Sequence, residues 1–307
     1  MRFGLVADDL TGACDSAVPF LAAGRVIVSF WPCSAGGDAA CQAITTESRA
    51  ERPAVAYRRS RTAVESLKAA GAEMIYRKVD SQFRGNLVED LRGALEAWDG
   101  ICILAPALPE ERRVTVGGIQ RWPGGQIDVR RLLASAGVDR VSVRDATTMD
   151  DLAGIAAEIA ARAERVMPAG TAGLASQLPR ACGYDAKPRP PLLSCRRPVA
   201  VVGTPAAATQ ARAAAERGKT VITLGPGETT DLDGYDALLL TGGETAARVL
   251  RRLGVEALEL IGEAYPRVPV ARCIGGPRDG LTVALKAGSF GGPDAIDVAL
   301  EALSERA

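Results

Sequence analysis

Short apolar runs that each stop at a cluster of polar residues constrain this chain more than any other feature. The first, Phe3–Ala7, runs into Asp8-Asp9-Leu10-Thr11-Gly12, with Asp15 close behind in an Ala-rich stretch suited to a helix. Comparable runs recur at Val26–Phe30, Ala54–Tyr57, Met74–Val79, Ile101–Ala105 and Val141–Val143. Segments of helical spacing lie between them, such as Arg61–Ala70 and Leu87–Trp98. Strands alternating with helices predict βαβ units and a largely parallel sheet. Ligands of such sheets bind beyond the carboxyl ends of the strands, so polar residues gathered there are candidates for a site. One acid suffices to cap a helix; Asp8, Asp9, Thr11 and Asp15 together ask for more.

Composition removes several kinds of chemistry. The chain has no histidine, which excludes His-based triads, His metal ligands and His general bases. Acid–base work is left to Asp, Glu, Lys, Tyr or Cys. Lys plus Arg equal Asp plus Glu at 37 each, so no net basic field points to nucleic acid. The seven cysteines are scattered without a CxxC pair and read as small buried residues of a reducing compartment. Only Cys14 stands beside the candidate site. The chain shows no basic-then-apolar leader and no run of about 18 apolar residues, so a cytoplasmic protein with no membrane partner is expected.

The pattern restarts past residue 187. A helix is predicted over Met149–Ala163, with Thr147 or Thr148 as its cap. Then comes Lys187-Pro188-Arg189-Pro190-Pro191, a proline-rich break, followed by strands near Val199–Val202, Thr220–Leu224, Ala237–Leu240 and Thr282–Leu285. Two α/β domains, 1–190 and 191–307, joined near 184–197, are the expectation. The Gly-rich stretch Val114–Gln126 shows no clear period and reads as a loop over the site.

Further polar clusters sit at other predicted strand ends. Lys78, Asp80, Ser81 and Arg84 follow Met74–Tyr76 and precede a helix starting near Leu87. Cations there suit a carboxylate, and Asp80 suits hydroxyls, as on a small polyhydroxylated acid. Arg113 follows the strand Ile101–Leu104. In the second half, Thr241-Gly242-Gly243-Glu244-Thr245 opens the helix Ala247–Leu253, where free N–H groups and the helix dipole favour phosphate. Lys286-Ala287-Gly288-Ser289 and Leu224-Gly225-Pro226-Gly227 add two more Gly-rich strand ends. Together they suggest a nucleotide, although neither GxxxxGK[ST] nor GxGxxG is present.

Taken together, the segments ADDLTGACD (7–15), KVDSQFRGN (78–86), APALP with Arg113, Thr115 and Gly118, DATTMDDL (145–152), GTAGLA (170–175), GGETA (242–246) and KAGSFG (286–291) resemble the four-carbon acid sugar kinases. The resemblance spans nearly the whole chain. It implies an N-terminal acid-sugar domain, a C-terminal ATP domain and an active site between them. The implied reaction moves the γ-phosphoryl of ATP, with Mg²⁺, to the terminal hydroxyl of threonate, erythronate or an oxo-tetronate. Asp9 or Asp80 would take the hydroxyl proton. Asp8, Thr11, Asp15, Lys78, Ser81, Arg84 and Arg113 would hold the sugar or the transferring phosphate. Thr204, Gly242, Gly243, Glu244, Thr245, Lys286 and Gly288 would hold the nucleotide. The metal ligands stay unassigned, and a homo-oligomer is compatible with the sequence.

The chain departs from the family pattern in places. It is shorter after Gly118 and across the C-terminal half. A serine-rich turn appears as Gly203-Thr204-Pro205-Ala206, Ala287 replaces a usual serine, and Arg112 stands where glycine is usual. The shortened half and Ala206 motivate an alternative, a non-catalytic acid-sugar sensor with a degenerate nucleotide domain. An oxidoreductase reading lacks GxGxxG and the acidic residue that should follow it.

Overall fold

The computed structural model describes residues 2–33, 37–162, 165–185, 193–288 and 290–304. The chain divides into two compact units, Met1–Lys187 and Pro188–Ala307. The proline-rich break at 187–191 lies outside the described residues.

The first unit runs β1 (Phe3–Ala7), α1 (Leu10–Ala17), β2 (Val26–Phe30), β3 (Cys41–Thr45), α2 (Pro53–Ala69), β4 (Met74–Lys78), α3 (Leu87–Ala97) and β5 (Ile101–Ala105). It continues with β6 (Val114–Val116), β7 (Ile119–Trp122), β8 (Gly125–Asp128), α4 (Val129–Ser135), β9 (Val141–Val143), α5 (Met149–Ala160), β10 (Val166–Gly170) and α6 (Ala172–Ala181). Its main sheet has the order β2-β3-β1-β4-β10-β5-β9, and every pairing within it is parallel. Helices cover both faces. Leu67 of α2 packs on Gly4, on the face that also carries Val6, Ile75 and Leu91 of the core. Phe3, on the alternate face, meets Phe20 with ring centroids 4.9 Å apart. The chain leaves β1 toward β2 and β3, then returns to β4 on the other side. The strand order therefore switches between β1 and β4, where open α/β sheets form a ligand crevice.

The second unit runs β11 (Pro198–Val202), α7 (Ala208–Glu216), β12 (Val221–Thr223), β13 (Ala237–Thr241), α8 (Gly243–Arg252), β14 (Ala257–Tyr265), β15 (Val268–Ile274), β16 (Thr282–Lys286) and α9 (Ala295–Leu303). Within it β12-β11-β13-β16 are parallel, and the long hairpin β14–β15 extends them in antiparallel fashion. Its core joins Ala200, Leu239, Val270 and Ala284 of the strands to Ile296 and Leu300 of α9.

Two expectations need correction. Ala54–Tyr57 is the opening of α2, not a strand. Pro53 sits in the first turn, where its missing N–H costs nothing, and Ala56, Ser60, Ala63, Val64 and Leu67 make one buried helical stripe. The stretch 114–126 is not a loop but the antiparallel sheet β6-β7-β8. Gly117 and Gly118 take φ of 64° and 77° between the paired Val116 and Ile119, the left-handed pair that tight hairpins require.

Candidate active site

At the end of β1 the two acids divide their work. Asp9 caps α1: its Oδ1 accepts the Gly12 N–H at 3.2 Å, and its Oδ2 accepts the Thr11 hydroxyl at 2.8 Å. Asp8 is buried and faces Arg49, a residue the sequence reading passed over. Arg49 donates from Nε to Asp8 Oδ2 at 2.7 Å and from Nη2 to Asp8 Oδ1 at 2.9 Å. The same Nη2 reaches Asp9 Oδ1 at 2.7 Å, and Nη1 lies 3.5 Å from Asp80 Oδ2. One guanidinium thus joins acids from the ends of β1 and β4. Burial alone would raise the Asp8 carboxyl; Arg49, with Lys78 and Arg77, holds it below its ordinary value.

The loop after β4 supplies the facing groups. Asp80 Oδ1 accepts the N–H groups of Gln82 at 2.9 Å and Arg84 at 3.3 Å, fixing the turn. Arg84 returns a two-nitrogen fork, with Nη2 at 2.6 Å and Nε at 3.2 Å from Asp80 Oδ2. Against its burial, the Arg84 hydrogen bonds and the charges of Arg49 and Lys78 hold Asp80 far below the usual carboxylate range. Lys78 is buried, its ammonium 2.7 Å from where a Cβ on Gly12 would stand. A methyl there would push aside the Asp9 carboxylate or the ammonium. Arg113 is also buried, and its Nη1 donates to Ser81 Oγ.

The small sheet brings Arg113 in. Gln120, fully buried, accepts the Thr115 hydroxyl at 2.6 Å and donates to the carbonyls of Ser81 at 3.3 Å and Pro106 at 3.1 Å. It fastens the hairpin to the loops after β4 and β5. Arg112 beside it has φ 55°, a left-handed conformation in which glycine is at ease, which accounts for the family's glycine there.

Asp15 lies on the second turn of α1, where its charge is felt by Cys14 and Tyr76. Cys14 is fully buried, and burial with the charges of Asp9 and Asp15 pushes its thiol well up, so no thiolate nucleophile forms there. Below the site, Arg77 and Asp90 make a buried pair at 2.6 Å, and Arg77 Nη1 donates to the Val6 carbonyl at 2.8 Å. Burial still pushes the Asp90 carboxyl up to about 6, against the charge of Arg77.

In the second unit three parallel strands end side by side, with Val202 opposite Thr241 and Thr241 opposite Lys286. Thr204, just past β11, stands between two glycines. A Cβ on Gly288 would sit 2.6 Å from its Cγ2, and one on Gly242 would sit 3.4 Å away. A Cβ on Gly203 would overlap the Thr245 side chain. Gly242 caps α8 with φ 85°, Gly243 opens it, and Glu244 is exposed on its first turn. Lys286 is wholly buried and donates to the carbonyls of Ala287 at 3.0 Å and Gly288 at 3.3 Å. Its ammonium is thus engaged in bracing the loop. Gln210 of α7, also unforeseen, donates to the carbonyls of Phe290, Gly291 and Gly292 at 3.2, 3.0 and 3.0 Å. Packed glycines beside a helix N-terminus, with Thr204 and Thr245 hydroxyls near, fit a phosphate chain.

Two of the motifs carry architecture. Thr148 and Asp151 form a capping box at the start of α5, and Asp145 accepts the N–H groups of Gly117 at 2.6 Å and Gly118 at 2.8 Å. Thr171 caps α6 and donates to the Ala107 carbonyl at 2.7 Å.

Comparison with known proteins bears on both units. Residues 3–126 match the family described as a sugar-binding N-terminal domain, and residues 156–296 match a nucleotide-binding C-terminal domain. The second match begins inside the first unit, so β10 and α6 fall within it while completing the first unit's sheet. The chain is 28% identical to a D-threonate kinase of Bordetella bronchiseptica, covering 99% of this chain and 98% of that protein. That alignment runs over 400 positions against 307 residues here, so the relative carries internal segments without counterpart. A D-erythronate kinase of Heliobacterium modesticaldum is 32% identical over 41% of this chain and 31% of its own length. A solved Salmonella typhimurium LT2 structure, described as a putative tRNA synthase, shares the fold with TM-score 0.77 at 18% identity, covering 97% of this chain and 98% of its own. No helix among the described residues is long and apolar enough to cross a membrane. With its sugar-binding and nucleotide-binding halves in order, the chain belongs to the four-carbon acid sugar kinase family.

Proposed function

We propose that this protein transfers the γ-phosphoryl group of ATP to the terminal hydroxyl of a four-carbon acid sugar, with D-threonate the leading candidate. The observation that carries this reading is the charged crevice of the first unit. Asp8, Asp9 and Asp80 meet Arg49, Lys78 and Arg84 at the β1–β4 switch, with Arg113 held at Ser81. Such a site offers hydroxyl acceptors and carboxylate or phosphate donors side by side.

Phosphoryl transfer depends mainly on positioning and on stabilising spread negative charge. Asp9 takes the acceptor proton: its side chain is 13% exposed, against 5% for Asp80, which Arg84 and two backbone N–H groups enclose. Arg113 and Lys78 hold the substrate carboxylate, and Arg84, 61% exposed at its side chain, faces the incoming phosphate. Thr204, Gly242, Gly243, Thr245 and Gly288 hold the nucleotide phosphates. No group of three or more Cys, Asp or Glu side chains suited to a metal occurs among the described residues, and Asp8, Asp9 and Asp80 are engaged by arginines. These residues make no cage for Mg²⁺; the ion would travel on the nucleotide phosphates, its usual ligands.

The test is ADP release from Mg·ATP over D-threonate, other tetronates and 3-oxo-tetronates, with pentonates as controls. Turnover confined to a four-carbon acid supports the reading. Silence across the panel refutes it.

A further inference from the structure

We infer that Arg49 is the positioning residue of this site: its guanidinium joins Asp8, Asp9 and Asp80 across two strand ends and so holds the Asp9 carboxylate in one place before the acceptor hydroxyl. The role of Asp9 rests on the phosphotransfer reading; the role of Arg49 as keeper of the cluster stands on geometry alone.

Three carboxylates from two strand ends cannot share a small space charged unless a cation joins them, since like charges at such range force one to keep its proton. Arg49 touches all three, at 2.7 Å to Asp8, 2.7 Å to Asp9 and 3.5 Å to Asp80. Its fork geometry allows what a lysine's point charge does not. The other charges facing the cluster are placed differently. Lys78 lies against Gly12 at the first turn of α1 and lends its charge to Asp8 and Asp80, Arg84 forks onto Asp80, and Arg77 is paired with Asp90 beneath.

The loop that carries Arg49 is held more firmly than a connecting loop needs. Asn86 opens α3 without capping it; its Nδ2 instead donates to the carbonyls of Ser48 and Glu51, both at 2.9 Å. Arg59 donates to the carbonyls of Thr46 at 2.9 Å and Glu47 at 3.2 Å. The Ser48 N–H bonds the Asp8 carbonyl at 3.1 Å, and Glu47 takes φ 46°. Strain and bracing of this kind collect where a side chain must be held in one place.

The test needs no turnover: thermal unfolding of the wild type and Arg49→Met at about pH 7 and about pH 4.5, near the carboxylate range. Without the guanidinium the three acids repel at neutral pH and are relieved as they take up protons. The Met variant should therefore lose more at neutral pH than at acid pH, by about 5 °C in unfolding temperature. Arg49→Lys replaces it if the Met variant does not fold, and should show the same trend more weakly. An equal loss at both pH values, or none, overturns the inference. In a protein that turns over D-threonate, the acid limb of kcat/KM should also move up by about one pH unit in Arg49→Met; a lower kcat with an unmoved limb overturns it too. Failure of the wild type to turn over any tetronate would count against the kinase reading and leave the unfolding result to stand by itself.

Discussion

Both units put their polar residues at the carboxyl ends of parallel strands, yet they solve opposite problems with opposite means. The first fills the β1–β4 switch with side-chain charge: Asp8, Asp9 and Asp80 against Arg49, Lys78 and Arg84. The second clears its strand ends of bulk, so that Gly203, Gly242 and Gly288 bring backbone close to Thr204 and Thr245. A small acid with hydroxyls demands donors and acceptors set at specific places. A phosphate chain asks for many N–H groups and little else. Substitutions should therefore act through charge in the first unit and through space in the second.

The largest effect expected is from Asp9→Asn, which keeps the shape of the cap and removes the proton acceptor. Turnover should fall by about 10²–10⁴-fold with ATP affinity unchanged, measured by steady-state kinetics and calorimetry. Wild-type turnover would take Asp9 out of that role and return it to Asp80. Thr204→Ala should do far less. Losing one hydroxyl contact of about 1 kcal/mol lowers ATP affinity about fivefold and leaves D-threonate binding alone. A loss of D-threonate binding in that variant would blur the division between the units.

The sequence announced the first unit's acids and cations well because they lie within a few residues of apolar runs. Phe3–Ala7, Val26–Phe30 and Ile101–Ala105 are strands with those bounds. Arg49 escaped because nothing local marks it: it sits in the loop after β3, a strand not foreseen, and its partners are about 40 positions before it and 31 after. Gln120 and Gln210 were missed for the same reason, since a buried amide bonded to distant carbonyls has no periodic signature. Ala54–Tyr57 misled because four residues cannot separate a strand from the first turn of a helix; the stripe running on to Leu67 decides it. Lys286, expected at a phosphate from its place before a glycine loop, is buried and donates to that loop's Ala287 and Gly288 carbonyls, contacts that no local pattern foretells.

The division of labour is tested most directly by titrating ATP and D-threonate, separately, into the wild type and Gly203→Ala. The added methyl overlaps the Thr245 side chain within the second unit. The account predicts that ATP binding is lost by tenfold or more, about 1.4 kcal/mol, while D-threonate binds as in the wild type. ATP affinity that survives the methyl, or D-threonate affinity that falls with it, would contradict the account.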